Sequence, residues 1–368
     1  MPEKEKFWNP YRFVPVSAPS PPPRSAPTYH HRLTGLSGTL ECRLTAKTAL
    51  LVADQRGGQG SVRAFWKAND GTPTIPGTSL KGMLRSFLEI VAPGCAIVAD
   101  EKAEGKNACR DPRALCPVCA LFGFVGHGNT GALYRGHVTI GDARLVAETA
   151  PPPAKWEQRE IYMATPHPTH KAFYPGDAGS FRKLYHHQPK CMSKPAAPNA
   201  GIKPNATLQP APAGAAFDFS IRFVGLAPEQ LAMMLYAVVL ERDVATSVTG
   251  WNGTREETIR LRGDLCHKLG HGKPVGLGSC QIAIQSSIVG DGAERYRRGV
   301  PRQDLRGAEL DAWHAEQAAR FRATRSPTFD AALRRMMVFD ESDPRDFRYP
   351  TFQWFHDGAT SSRRLKPA

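Results

Sequence analysis

The sequence has no apolar run that approaches the ~20 residues a membrane-spanning helix requires. Its charged N-terminal residues are not followed by the apolar stretch of a secretory signal peptide. We therefore expect a cytoplasmic protein that makes no contact with membranes. The eight cysteines should then be reduced thiols rather than disulfides.

Acidic residues are scarce relative to basic ones. The 368 residues include 34 Asp and Glu against 48 Lys and Arg, which gives a formal net charge of +14. This excess favours a polyanionic partner, with nucleic acid ahead of an anionic membrane surface. The 33 glycines and 32 prolines indicate many loops and argue against a helical bundle or a coiled coil.

One pattern of strand, helix and strand occurs twice along the chain. In the first copy the strand lies at 40–52, the helix at 80–91 and the second strand at 137–146. In the second copy the strand lies at 217–223, the helix begins at Pro228 and the last strand follows Gly278. This order predicts an α+β protein with a ferredoxin-like (RRM-like) βαββαβ palm over residues 38–290. Thr78 or Ser79 can cap the first helix.

Four segments flank or interrupt this palm. They are a Pro-rich N-terminal arm at 1–37, a cysteine-containing insertion at 92–136, a basic insertion at 147–216 and a C-terminal extension at 291–368. We expect the arm to be extended and to lie outside the core. We expect the C-terminal extension to be partly helical, near residues 303–322.

The cysteines cluster in a way that is typical of a metal site. Cys116 and Cys119 are two residues apart, as in a zinc knuckle, and Cys109 can supply a third thiolate. Cys95, His127 and His137 are the candidates for the fourth ligand, and we assign Cys95. Four protein ligands predict a structural Zn²⁺ site; the alternative is a set of small buried thiols.

Three basic segments have the composition of a nucleic acid-binding surface. The glycine-rich loop 270–278 is not a P-loop, because Pro274 follows Gly272 and Lys273. Its glycines still suit close approach to phosphates. The helix start near Lys81 can attract an anion, and segment 151–216 interleaves rings with cations, as in proteins that bind single-stranded RNA. The alternatives are a tight turn, an ordinary capped helix and a solvated loop.

Four motifs resemble those of the RAMP superfamily, the backbone subunits of CRISPR effector complexes. They are IPGTSLKGMLR at 75–85, CPVCALFG at 116–123, RKLYHH at 182–187 and LGHGKPVGLG at 269–278. The resemblance implies a type III-like, RNA-targeting effector subunit in antiviral defence, which binds guide RNA (crRNA) and stacks along it. Copies of itself, other effector subunits and single-stranded target RNA are the implied partners. The insertion at 147–216 would be a thumb-like element.

The resemblance also suggests which residues contact RNA. They are Arg56, Arg63, Ser79, Lys81, Arg85, Arg182, Lys183, Tyr185, His186, His187, Gly272, Lys273, Gly276 and Gly278. Related type III subunits cut target RNA with a loop aspartate and Mg²⁺ or Mn²⁺. The aligned loop here has no carboxylate at that position, so Asp54 and Asp70, which flank it, are the candidates, and cleavage stays an open question.

Two other functions are compatible with the sequence. One is a stand-alone endoribonuclease that processes CRISPR RNA with His186 or His187 as general acid or base. The other is a zinc-stabilised adaptor outside CRISPR systems, whose basic face binds an acidic protein or a membrane. Salt-sensitive binding to RNA but not to anionic vesicles would exclude the adaptor.

Overall fold

The computed structural model describes residues 7–15, 22–32, 34–54, 62–95, 108–126, 132–161, 181–190 and 206–349. Its helices are α1 (Gly77–Val91), α2 (Pro117–Phe122), α3 (Pro228–Val239), α4 (Gly292–Arg298), α5 (Gly307–Arg322) and α6 (Pro327–Met337). None of these helices is both long and apolar enough to cross a bilayer.

The strands range from two to thirteen residues. They are β1 (Tyr11–Pro15), β2 (Leu36–Ala46), β3 (Thr74–Ile75), β4 (Gly123–Val125), β5 (Leu133–Arg135), β6 (Val138–Ile140), β7 (Ala143–Leu145), β8 (Arg159–Ile161), β9 (Phe181–Tyr185), β10 (Ala206–Leu208), β11 (Ala216–Leu226), β12 (Val244–Trp251), β13 (Glu256–Leu265), β14 (His267–Lys268), β15 (Ser279–Asp291), β16 (Gln303–Leu305) and β17 (Val338–Phe339).

The central sheet is antiparallel and combines strands from both halves of the repeated pattern. Strand β2 lies between β15 and β11, and β11 also pairs with β6 and β7. Leu44 is paired with Phe217 on one side and with Ile282 on the other. The predicted strands thus lie in the spatial order fourth, first, third, second.

Helices α1 and α3 cover one face of this sheet, because apolar residues recur with helical spacing in both. In α1 the buried stripe includes Leu80, Leu84 and Leu88. The helix begins at Gly77, whose N–H donates to Asp142 Oδ1 at 2.7 Å. The expected cap at Thr78 or Ser79 is therefore wrong: both residues lie inside the first turn, and a carboxylate from the neighbouring strand connection takes the capping position.

The opposite face of the sheet is polar. Glu41 and Arg43 of β2 and Asp218 and Arg222 of β11 point to this side, and Arg43 binds Asp218 through two 2.7 Å hydrogen bonds. The phenylalanines of β11 all lie on the buried side of the strand instead. Base stacking on aromatic residues of the sheet, as in an RRM, is therefore not available on β2 or β11.

Part of the predicted N-terminal arm belongs to the folded core. Strand β1 pairs with β9 over its whole length, and Trp8, Tyr11 and Val14 are buried. The expectation that this region lies outside the core is wrong for residues 7–15. Proline fixes φ and lacks an N–H donor, but Pro10 and Pro15 stand beside or at the end of the strand, where both properties are tolerated.

The C-terminal extension also packs onto the palm. Strand β15 continues to Asp291, β16 pairs with it, and α5 lies against α3. A long hairpin, β12–β13, connects α3 to the glycine-rich loop and pairs with β17. The sequence pattern does not predict this hairpin.

Candidate functional site

A cleft of about 1050 Å³ opens between α1, β9 and the glycine-rich loop. Segments far apart in the sequence line it, among them Asp54, Trp66, Ser79, Gly82, Glu89, Arg182, Lys183, Tyr185, His187, Lys268, His271 and Lys273. Four cations from Lys and Arg thus face two carboxylates. The lining has the charge balance of an anion-binding surface.

Helix α1 provides one wall through its exposed side. Gly82 lies in the middle of the helix, and a Cβ built there would meet no atom within 4 Å. A helical glycine costs about 1 kcal/mol relative to alanine, so its presence at an open wall suits close approach of a ligand. The neighbouring Lys81 is half-buried, and burial followed by repulsion from Arg85 lowers its pKa.

Arg85 is directed away from the cleft. Its Nε donates to Glu89 at 3.0 Å, one terminal nitrogen donates to the Gly123 carbonyl at 2.8 Å and the other to Cys119 Sγ at 3.2 Å. The expectation that Arg85 holds RNA is not supported by this geometry, because the guanidinium is already engaged by three groups. It connects α1 to the cysteine-containing insertion.

Strand β9 provides the opposite wall. The Lys183 ammonium lies 3.8 Å from the ring centroid of Tyr11 and 5.4 Å from that of Tyr185, within the range of cation–π contact. Burial lowers the pKa of Lys183 to about 8. The N-terminal strand β1 therefore helps to shape the cleft.

His186 and His187, predicted as RNA contacts, are both buried. His187 Nε2 donates to the Cys266 carbonyl at 3.1 Å, so Nδ1 accepts from Ser279 Oγ at 2.8 Å. His186 stacks on Phe347 with centroids 5.1 Å apart. Burial holds the pKa of both imidazoles well below its usual range. His186 in particular packs in the interior and offers no exposed edge for a nucleotide.

The side chains of Lys268 and Thr48 hold the glycine-rich loop in place. Lys268 Nζ donates to the Gly276 and Leu277 carbonyls at 3.1 Å, and Thr48 Oγ1 donates to Gly276 at 2.9 Å. Gly278 has φ +81°, and a Cβ there would lie 2.0 Å from the Leu269 carbonyl oxygen. The glycine pattern is thus required by the turn itself. Several of the loop's amides bind backbone carbonyls, which leaves Lys273 as its main cationic group at the cleft.

The two candidate catalytic aspartates are separated by the fold. Asp54 lines the cleft. Asp70 binds Arg144 and accepts the Thr72 N–H, and these bonds, the Thr72 backbone bond first, lower its pKa to about 2. Asp70 is not among the lining residues. Arg63 is exposed and bonds to Thr207 through its backbone, whereas Arg56 falls outside the described residues.

The four predicted metal ligands meet in one buried group. The Sγ atoms of Cys95, Cys109, Cys116 and Cys119 all lie within 4.8 Å of one another, and Cys95 and Cys119 are 3.4 Å apart. Tetrahedral Zn–S bonds of about 2.3 Å place sulfurs about 3.8 Å apart. Backbone N–H groups of Cys95, Cys116 and Cys119 donate to cluster sulfurs at 3.2–3.4 Å. The group can hold a metal ion, and its donors suit thiolate ligands.

Several residues of the cleft are not predicted by the motifs, among them Glu89 and Lys268. Glu89 lies one turn beyond Arg85, and Lys268 lies just before the glycine-rich loop. Helical spacing places Glu89 beside Arg85, but nothing in the spacing shows that it faces a cleft. His137, an alternative metal ligand, binds the Val224 carbonyl through Nδ1 at 2.6 Å; His127 is outside the described ranges.

Comparison with known proteins gives a family and likenesses to solved structures. A model of the RAMP superfamily matches residues 43–281, more than half of the chain. A solved structure described as the Csm3–Csm4 subcomplex in the type III-A CRISPR–Cas interference complex matches 77% of this chain and 97% of its own, at 14% identity and a TM-score of 0.36. Comparison with curated proteins gives no match.

Proposed function

The chain belongs to the RAMP superfamily of CRISPR-associated proteins, and from this premise we propose that it binds crRNA in the cleft as a backbone subunit of a type III-like effector complex. In this proposal the antiparallel sheet with α1 and α3 is a ferredoxin-like palm. Copies of the chain and other effector subunits are its protein partners, and single-stranded target RNA pairs with the guide.

The convergence of separate motifs on one cleft carries the proposal. The helix start at 75–85, the strand at 182–185 and the loop at 269–273 contribute lining residues from three parts of the sequence. Arg182, Lys183 and Lys273 supply cations that suit phosphates. Tyr185 adds a ring on which a base can stack. Sequence specificity would come from base pairing of the guide rather than from these side chains.

We assign a structural Zn²⁺ to the cysteine cluster. Cys95, Cys109, Cys116 and Cys119 supply four sulfur ligands, which leaves no open position for a reacting water. When bound, the ion would cross-link α2 to the segments that carry Cys95 and Cys109. Arg85 supports the site by donating to Cys119 from α1.

Target-RNA cleavage, if the complex performs it, is assigned to Asp54. Asp54 lines the cleft, whereas Asp70 is not among the lining residues. Mg²⁺ is commonly held by one or two carboxylates together with substrate phosphates, which suits Asp54 beside a bound RNA. The role of Asp54 would be to hold that ion. Asp54→Asn should abolish cutting and preserve RNA binding, whereas Asp70→Asn should preserve both.

The two other functions have less support. A processing ribonuclease would need a histidine at the RNA, and the burial of His186 and the two hydrogen bonds of His187 argue against that use. A basic adaptor for acidic proteins or membranes would not require several RAMP motifs to surround one cleft.

Co-purification of RNA tests the proposed function. The full chain is expressed with a repeat–spacer transcript, purified, treated with nuclease, and the protected RNA is sequenced. We expect repeat-plus-spacer fragments whose lengths step regularly. Gly82→Gln, which fills the open wall of the cleft, and Lys183→Gln should each reduce the retained RNA at least tenfold.

The matched control is Lys47→Gln, which removes one cation outside the cleft lining that already pairs with Glu341 and should retain RNA like the wild type. Random host fragments, or equal losses for the cleft and control variants, would contradict guide binding in the cleft. Binding to anionic vesicles without RNA would favour the adaptor.

A further inference from the structure

Helix α4, beyond the region matched by the family, displays an aromatic ring among arginines. The Tyr296 side chain is 81% exposed. Arg295, Arg297 and Arg302 are exposed as well, and no described carboxylate lies within ion-pair distance of these three. We call these four residues the Tyr296 surface.

Local stability does not account for this surface. Asp291 caps α4 by accepting the N–H groups of Ala293 and Glu294 at 2.8 and 3.1 Å, and Arg298 pairs with Glu294 at 3.3 Å. Arginines near a helix C-terminus each contribute about 0.3–1 kcal/mol through the helix dipole, which explains a preference for cations there. It does not explain a tyrosine that gains almost no burial.

The position of the surface separates it from the cleft. Strand β15 starts at Ser279, next to the glycine-rich loop, and ends at Asp291, where α4 begins. Its 13 residues at about 3.3 Å each span roughly 40 Å. The strand pairs with β2 on both sides of one irregularity between Ile284 and Ser286, and β16 pairs with its far end, so α4 is held at a defined distance from the cleft.

Cations around an exposed ring suit a single-stranded nucleic acid. Its phosphates pair with guanidinium groups, and its bases can stack on the ring whatever their sequence. We propose that the Tyr296 surface is a second RNA-binding site, at which Tyr296 stacks on a base while Arg295, Arg297 and Arg302 bind phosphates of the strand that leaves the cleft. This inference rests on the proposed function, because it takes RNA as the ligand.

Equilibrium binding to a single-stranded RNA of about 30 nucleotides tests the second site, since this length exceeds 40 Å even at ~3.4 Å per nucleotide. Tyr296→Ala should weaken binding about five- to hundredfold, and Tyr296→Phe, which keeps the ring, should bind like the wild type. The double variant Arg295→Gln/Arg297→Gln should reduce the magnitude of the slope of log affinity against log salt by about 1.4, because each of the two lost phosphate contacts contributes ~0.7.

The matched control is Arg113→Gln/Arg320→Gln, which removes two exposed arginines that already pair with Asp111 and Glu316. It should leave the slope unchanged. The circular dichroism and melting temperature of all variants should match the wild type, because the altered side chains are exposed.

The outcomes separate the two claims. If the Tyr296 and arginine variants bind RNA like the wild type while Lys183→Gln loses binding, the proposal of a second site is wrong and the proposal of RNA binding in the cleft still holds. Loss of a co-purifying protein subunit in these variants, without loss of RNA affinity, would overturn it in favour of a protein interface. No RNA binding by the wild type would overturn the proposed function and this inference with it.

Discussion

Lys183 gives the cleft a group that titrates near neutral pH. Its pKa is lowered to about 8 by burial, so the ammonium loses its proton as pH rises through that value. A phosphate contact with a charged donor contributes about 1.5–3 kcal/mol. We expect RNA affinity to fall about five- to tenfold between pH 7 and 9 at constant ionic strength, as measured by fluorescence anisotropy, because the protonated fraction of a group with this pKa falls about tenfold over that range.

Lys183→Arg provides the control, because a guanidinium stays protonated throughout this range. Its affinity should be nearly constant between pH 7 and 9. The same pH dependence in wild type and Lys183→Arg would show that another group titrates, and the role assigned to Lys183 would be wrong.

The motifs indicate which segments of the chain surround the cleft, but they do not indicate where the individual side chains point. Lys183 and Lys273 line the cleft, but Arg85, one turn from Lys81, points to Cys119 instead. His186 and His187 follow Tyr185 directly, yet they are buried. Spacing reports which residues are close along the chain, whereas these orientations depend on β1, the cysteine cluster and Phe347, which are distant in sequence.

The cysteine cluster should hold one metal ion per chain. Because a structural site links separate segments, its ion contributes directly to folding. We expect metal analysis to give one zinc per wild-type chain, and Cys116→Ser to lose the ion and melt at a markedly lower temperature. Cys42→Ser changes a buried thiol of the sheet and should keep the ion. Retained zinc in Cys116→Ser would contradict the site.

The C-terminal helices are fastened to α3 by a buried group of charges. Arg334 donates to Glu241 Oε2 at 2.7 and 3.0 Å, and Tyr236 donates to Oε1 at 2.8 Å. Arg325, whose side chain is 2% exposed, lies 2.8 Å from Asp330 and 3.6 Å from Glu241. Its contact with Asp330 is an ion pair without hydrogen-bond alignment.

Glu241→Gln should therefore destabilise the fold strongly. The change leaves the part-buried Arg334 without its ion pair and Arg325 with Asp330 as its one remaining carboxylate, and breaking a buried pair in this way costs up to about 3–5 kcal/mol. Urea denaturation measures the free energy of unfolding. Arg320→Gln on α5 breaks only an exposed pair with Glu316 and should cost less than about 1 kcal/mol. Equal effects of the two changes would mean that the C-terminal helices do not depend on the buried charges.

Periodicity found the elements whose residues alternate between a core and a solvent side. Strand β11 and helix α1 were predicted because Phe217 to Phe223 and Leu80 to Leu88 repeat with strand and helix periods. Hairpin β12–β13 was missed, since threonines and arginines occupy many of its positions and only a few, such as Val248 and Leu261, are buried. Strand β1 was missed because the prolines around it dominate the composition.

Buried neutral histidines couple the stability of the whole molecule to pH. His186, His187 and His267 lie in the interior, and burial lowers the pKa of each, that of His267 to about 4. Their ordinary value is about 6.5 in the unfolded chain. Below pH 6.5 the unfolded state therefore binds more protons than the folded state, and stability falls as pH falls.

Each histidine can remove up to ~1.4 kcal/mol per pH unit below that value, so three together approach the total stability of a typical domain within a few units. We expect urea unfolding to give a nearly constant free energy between pH 7 and 8 and a steep decline from pH 6 to 5. His187→Gln, which can keep a hydrogen bond to Ser279, should show a shallower decline. His31→Gln, at an exposed position, should decline as steeply as the wild type.

Asp70, with a pKa of about 2, affects the pH dependence of stability only at lower pH, because an aspartate of the unfolded chain binds protons below about pH 4. A decline that begins only near pH 4 would therefore assign acid sensitivity to carboxylates and contradict the role of the histidines.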